Sequence, residues 1–193
     1  MLQQDKSYWE NRYKNNEIGW DIGFISTPIK QYINQLSEKN SQILIPGGGN
    51  CYELEYLFNN GFKNACLIDW SKTAIQNFKN RVPNFPDKQL FCDDFFSHEG
   101  QYDLIFEQTF FCALYPNQRQ EYVQKMHKLL KPSGKLVGLL FNKTFETNPP
   151  YGGNKNEYQA LFGKYFEIIT MEECYNSIVP RAGSELFVIC IKK

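Results

Sequence analysis

A short apolar run ending in glycines is the feature that most limits how this chain can fold. Gln42-Ile43-Leu44-Ile45 is followed by Pro46 and then by Gly47-Gly48-Gly49. That pattern reads as a buried strand feeding a tight turn. Behind it, residues 51–59 carry Leu54, Leu57 and Phe58 at helical spacing, and Gly61 stands where a helix stop is expected. Glycine lets the backbone approach a ligand closely and take a positive φ without penalty. A plain tight turn would use the same glycines, so they do not specify a ligand alone.

The strand-then-helix unit repeats along the chain. Residues 65–68 read as a strand and 71–80 as a helix, 89–92 as a strand, 102–106 as a strand, and 118–130 as a helix. Lys131-Pro132-Ser133-Gly134 reads as a turn leading into a strand over 135–141. Two helices precede the pattern, over 7–14 and 27–36, the second capped by Thr27 with Pro28 at its first position. Two further strand-like runs, 166–171 and 185–191, have no helix between them and suit an antiparallel pair at one sheet edge. The expected fold is α/β: a Rossmann-like doubly wound sheet of seven mostly parallel strands, with an antiparallel edge hairpin and helices on both faces. The length of 193 residues suits one domain spanning 1–193. The long irregular segment, 142–153, follows a strand, where such sheets place ligand-binding loops.

Charge and cysteine usage exclude several function classes. Lys and Arg balance Asp and Glu, so no basic excess meets a nucleic-acid backbone. Apolar runs of a few residues are far short of a membrane span, and residues 1–10 lack the apolar core of a signal peptide. No nucleic acid, no membrane and a cytoplasmic location are the expectations. The six cysteines form no CxxC pair, and Cys66 and Cys190 sit inside apolar runs as small hydrophobes do. The two histidines, His98 and His127, lack ligand-like neighbours, so no metal is expected.

Asp69 gives the glycine turn a meaning. It lies about 20 residues beyond Gly47, at the end of Leu67-Ile68-Asp69, where a carboxylate can accept hydrogen bonds from both hydroxyls of an adenosine ribose. Asp93-Asp94 ends the following strand. Three successive strand ends would then face one crevice. Gly47 and Gly49 fit the start of a dinucleotide fingerprint, but Tyr52 occupies the third glycine position. That disfavours an NAD-linked oxidoreductase, which stays as the alternative, together with a catalytically silent binding module.

Ile45-Pro46-Gly47-Gly48-Gly49, Asp69-Trp70-Ser71, Asp94-Phe95 and Tyr102-Asp103-Leu104-Ile105-Phe106-Glu107 resemble the class I methyltransferase motifs in order. Trp9, Tyr13 and Trp20 with Asp21-Ile22-Gly23, the run from Phe110 to Pro116, Leu129-Leu130-Lys131-Pro132-Ser133-Gly134 and Pro149-Pro150-Tyr151 narrow the likeness. Together they resemble the thiopurine methyltransferase family, nearest its thiol and halide methyltransferase branch. The resemblance implies S-adenosylmethionine as cofactor, S-adenosylhomocysteine as product, and a small-molecule methyl acceptor such as a thiol or sulfide, a halide or a thiopurine sulfur. It implies that residues 1–38 form a helical lid, with Trp9, Tyr13 and Trp20 closing over the methionine end. It places Gly47 and Gly49 at the glycine turn, Asp69 on the ribose with Trp70 beside it, and Asp94 and Phe95 on the adenine. Gln108 stands where the branch often has an aromatic residue, which leaves open how it meets the methionine carboxylate or the substrate. Tyr151, Gln108 and Arg181 are candidates to bound the acceptor pocket, Arg181 being equally suited to a surface position.

Transfer of a methyl from a sulfonium needs neither metal nor covalent intermediate, and no general base stands out in the sequence. Cys112 is better read as a packing residue than as a nucleophile. A monomer holding its reactants in line is the expected working form.

Overall fold

The register of the strands follows from where the uninterrupted apolar runs fall. The computed structural model describes residues 4–193. Its first three strands are β1 (Ile43–Pro46), β2 (Ala65–Ile68) and β3 (Leu90–Phe91). They are followed by β4 (Tyr102–Gln108), β5 (Leu130–Phe141), β6 (Phe166–Glu173) and β7 (Glu185–Lys192). These strands make one sheet in the order β3-β2-β1-β4-β5-β7-β6. Every residue of β1 and β2 is buried, as strands covered on both faces must be. Pairing is parallel from β3 through β5, and β7 runs antiparallel to both β5 and β6. The expected doubly wound sheet with an antiparallel edge is therefore the observed one.

Helices cover both faces. α2 (Thr27–Asn34), α3 (Tyr52–Asn59) and α4 (Lys72–Arg81) pack Ile29, Leu54 and Phe78 with Ile43, Ile45 and Leu67 on one side. α5 (Arg119–Leu129) and α6 (Lys155–Phe162) pack Tyr122, Met126 and Phe162 with Leu44, Ile68 and Ile105 on the other. α1 (Lys6–Lys14) lies against α4. Glu10 fastens it there, accepting hydrogen bonds from Ser71 Oγ (2.8 Å), Thr73 Oγ1 (2.7 Å) and Thr73 N (3.1 Å). Burial works against the Glu10 carboxylate, but these donors outweigh it and hold its pKa at about 2.

Three local expectations are corrected, and one helix is added. The turn at 131–134 does not separate two elements: β5 runs through it from Leu130, and the pairing with β4 slips there from Tyr102↔Leu130 to Leu104↔Lys135. Ser133 takes a φ of 61° at the bulge, and Lys131 ties it to Asp103 at 2.9 Å. The cap of α2 is Ser26, one residue before Thr27. The third strand is reduced to Leu90–Phe91 because a 3-10 turn at Asp87–Gln89 takes its start. Finally, α6 was not foreseen, although Asn154 caps it by accepting from Glu157 N at 3.0 Å.

Candidate functional site

Sheet topology decides where a ligand can lie. The strand order reverses between β1 and β4, and the crevice beyond the carboxyl ends of such strands is the usual binding place. A cavity of about 510 Å³ opens there, within the range of small-molecule sites. Gly47 after β1, Asp69 and Trp70 after β2, Asp93 to Phe96 after β3, and Thr109 and Phe110 after β4 all line it. Trp9, Tyr13, Gly19 and Trp20 line it from the N-terminal segment, and Cys112, Phe141, Pro149, Pro150 and Arg181 from the remaining side.

The glycine turn and Asp69 form one unit. Gly47 and Gly49 have φ of 56° and 58°, the left-handed region that glycine tolerates. Gly49 N donates to Asp69 Oδ2 at 2.9 Å, and Ser71 N donates to Asp69 Oδ1 at 2.8 Å. Burial raises the Asp69 carboxyl above its ordinary pKa, and the two amides oppose that rise by favouring the ionised form. A Cβ on Gly47 would overlap the Phe110 ring. Gly47→Ala is therefore expected to lower stability by about 1–2 kcal/mol or more, read from urea unfolding, and an unchanged midpoint would show that the turn relaxes freely.

The aromatic residues of the N-terminal segment form a connected wall. Trp9 meets Trp20 edge-on at 5.5 Å, and Tyr13 meets Trp20 at 5.8 Å. Trp20 Nε1 donates to the buried Tyr13 hydroxyl at 3.3 Å. Asp94 Oδ1 accepts from Phe96 N at 3.0 Å, closing the turn that carries buried Phe95 against Phe110 at 5.1 Å.

Not every expected residue reaches the cavity. Gly49 acts through Asp69 and does not line it. Gln108 turns away, because its Oε1 accepts from Ser26 Oγ at 2.7 Å, so the side chain serves the start of α2. Tyr151 faces a neighbouring hollow, packs its ring on Tyr115 at 5.6 Å and accepts from Gln4 Nε2 at 3.2 Å. Its neighbours Pro149 and Pro150 form the cavity wall instead. Arg181 is not a surface cation: it is buried, pairs with Glu185 at 3.5 Å and donates to Trp20 O at 2.9 Å. Cys112 is buried with its thiol pushed up to about 12 by burial, and it donates to Thr109 O at 3.4 Å. Asp93 lines the cavity as its strand-end position implied, while Arg12, Thr109 and Phe110 line it without having been named as site residues. Arg12 was legible in principle, since Trp9, Arg12 and Tyr13 fall at i, i+3 and i+4 on one helix face.

The sequence of residues 4–189 matches the family described as Thiopurine S-methyltransferase (TPMT). The chain belongs to the thiopurine S-methyltransferase family. A probable thiol methyltransferase 2 of Arabidopsis thaliana is 31% identical over 192 residues, covering 96% of this chain and 84% of that one. Thiocyanate methyltransferase 1 of Brassica oleracea is 27% identical over 184 residues, covering 92% and 81%. In fold, the chain is similar to a Burkholderia thailandensis 1,6-didemethyltoxoflavin-N1-methyltransferase solved with 1,6-didemethyltoxoflavin and S-adenosylhomocysteine. The TM-score is 0.78 at 15% identity, over 97% of this chain and 87% of that one. The protein is thus an S-adenosylmethionine-dependent methyltransferase, which sets aside the NAD-linked and catalytically silent alternatives. The cavity suits that cofactor: a fixed carboxylate at the β2 end can take a ribose, and nothing resembling a third fingerprint glycine is needed for a ligand without pyrophosphate. Among the described residues no group of acidic, histidine and cysteine side chains is arranged to hold a metal, and no helix is long and apolar enough to cross a membrane.

Proposed function

We propose that the acceptor is a small soft nucleophile, above all a thiol, sulfide or thiopurine sulfur, with thiocyanate or a halide as lesser substrates. One observation carries this reading: among the described residues, the acceptor side of the cavity holds no side chain suited to remove a proton. Phe110, Leu114, Phe141, Pro149 and Pro150 are apolar. Cys112 is held protonated by burial. Asp5 is engaged by Ser7 Oγ at 2.7 Å and Tyr8 N at 2.9 Å, which hold its carboxyl below the ordinary range. An acceptor entering this site must therefore arrive nucleophilic, as a thiolate or a soft anion does.

S-adenosylmethionine, when bound, supplies an electrophilic methyl on a sulfonium sulfur. The chain's own contribution is to hold and to exclude water. In this reading residues 1–38 act as a lid, residues 1–3 of it lying outside the described residues. Glu10 latches the lid to α4, and Gln4 N and Nε2 fasten its start to Tyr115 and Tyr151 at 3.1 and 3.2 Å. Asp69 takes the ribose hydroxyls, and Asp94 and Phe95 bound the adenine. Trp9, Trp20 and Phe110 wall the reacting centre, where aromatic faces favour a sulfonium. Arg181, paired with Glu185, bounds the acceptor side. Six free cysteines accord with a reducing compartment, and we take the working form as a cytoplasmic monomer acting on small molecules rather than nucleic acid.

The test is incubation with S-adenosylmethionine and, separately, hydrogen sulfide, small thiols, a thiopurine, thiocyanate and iodide, identifying each methylated product. Sulfur methylation is expected. Rates with thiols should climb between about pH 6 and 9 with the thiolate fraction, while the thiocyanate rate stays flat. Products methylated only on nitrogen or oxygen would overturn the reading, as would a thiol rate that ignores pH.

A further inference from the structure

The aromatic wall contains one cation with uncommitted donors. Arg12 sits on α1 between Trp9 and Tyr13, and the three side chains line the same cavity. Its guanidinium lies against the Trp20 ring at 5.4 Å and near the Tyr8 ring at 5.9 Å. Its Nε is buried and has no hydrogen-bond partner among the described residues. Its one ion pair there, with exposed Glu17, is long at 3.8 Å, and such pairs contribute little.

The other guanidinium of the cavity wall differs. Arg181 donates to Trp20 O and faces Glu185, so its charge is already balanced. Arg119 also has a buried Nε without a partner, but it does not line the cavity, and its remaining nitrogens serve Glu157, Tyr151 O and Gly152 O. Arg12 alone, among the described arginines of the wall, points planar donors into the cavity without an acceptor.

A cation in that position is unfavourable beside a sulfonium unless an anion lies between them. The cofactor has one anionic group, the carboxylate of its amino-acid end. A guanidinium pressed against an aromatic ring keeps its planar fork fixed, which suits two parallel hydrogen bonds to a carboxylate. Gln108, the other residue considered for this end, does not line the cavity, its Oε1 being held by Ser26. We infer that Arg12, carried on α1, is the clamp for the cofactor's amino-acid carboxylate. The inference rests on the family's cofactor and is independent of the acceptor.

Calorimetry with no acceptor present tests it. Two ligands are titrated into the wild-type protein and into Arg12→Met and Arg12→Lys: S-adenosylhomocysteine, and 5′-methylthioadenosine, which keeps the adenosine and the sulfur but lacks the amino-acid end. Arg12→Met is expected to raise the Kd for S-adenosylhomocysteine at least tenfold and to leave that for 5′-methylthioadenosine within about twofold. Arg12→Lys should fall between, since it keeps the charge and loses the fork. An unchanged Kd for S-adenosylhomocysteine overturns the inference. So does an equal loss for both ligands, which would mark a collapsed lid. A raised KM for the acceptor with S-adenosylhomocysteine affinity intact overturns it too, and moves Arg12 to the acceptor side.

Discussion

Asp69→Ala is expected to weaken S-adenosylhomocysteine binding by tenfold or more, measured by calorimetry. The carboxylate is oriented before any ligand arrives, because Gly49 N and Ser71 N each take one face of it. A hydrogen bond to a charged acceptor is worth roughly 1.5–3 kcal/mol, and each 1.4 kcal/mol is a factor of ten in Kd. Removing the group also leaves the Gly49 amide without its acceptor, so the turn that brings Gly47 to the cavity loses a restraint. Asp69→Asn separates these contributions. An amide keeps one carbonyl acceptor, which can hold the Gly49 amide while its NH2 loses the bond from Ser71 N, so the glycine turn should survive while a ribose hydroxyl bond is weakened. Unchanged affinity in Asp69→Ala would refute the ribose role, and 5′-methylthioadenosine, which keeps the ribose, should lose as much as S-adenosylhomocysteine does. That shared loss distinguishes Asp69 from Arg12, whose removal should spare the ligand without an amino-acid end.

The sheet and this half of the site were readable because their signals are local. An uninterrupted apolar run fixes a strand buried on both faces, and glycine with an acid about 20 residues on fixes a turn and a partner. The features that escaped depend on contacts distant in sequence. Lys131-Pro132-Ser133-Gly134 has the composition of a turn, yet β4 pairs with Leu130 before it and again from Lys135 after it, so the strand continues through and the surplus residues become a bulge; β7 joins β5 only from Lys135 onward. Gln108 ends β4 at a position that looks ligand-facing, but Ser26 reaches it across the fold. Tyr151 follows two prolines that do line the cavity, and the chain then turns away. Arg119 helps to set that turn by gripping the Tyr151 and Gly152 carbonyls at 3.2 and 2.7 Å from α5. Spacing within one helix could have flagged Arg12, whereas nothing in the order of residues shows which arginine of a pocket lacks an acceptor.

Glu107→Ala should destabilise the fold by about 3–5 kcal/mol, a large share of a typical domain's stability, and lower the urea midpoint by roughly 1 M or more. Glu107 is buried near the end of β4 and collects three donors. Oε1 accepts from Phe110 N and Phe111 N, both at 2.9 Å, and Oε2 accepts from Tyr122 OH at 2.5 Å. The two amides belong to the loop that follows Thr109, which takes a φ of 58° and lines the cavity beside Phe110 and Cys112. Alanine would leave two amides and a phenol unpaired among apolar side chains, each costing roughly 1–3 kcal/mol. Glu107→Gln tests the charge separately. Burial pushes the carboxyl up to about 7, against the three donors that favour ionisation. The folded state then binds more protons than the unfolded state between about pH 4.5 and 7, so this group's contribution is full below that window and fades as pH rises through it. Buried Glu53, also raised to about 7, titrates alike in both proteins and cancels from their difference. The stability gap between wild type and Glu107→Gln should therefore narrow from pH 5 to pH 8. A gap that widens or holds constant would show that Glu107 stays ionised throughout, with its three donors outweighing burial.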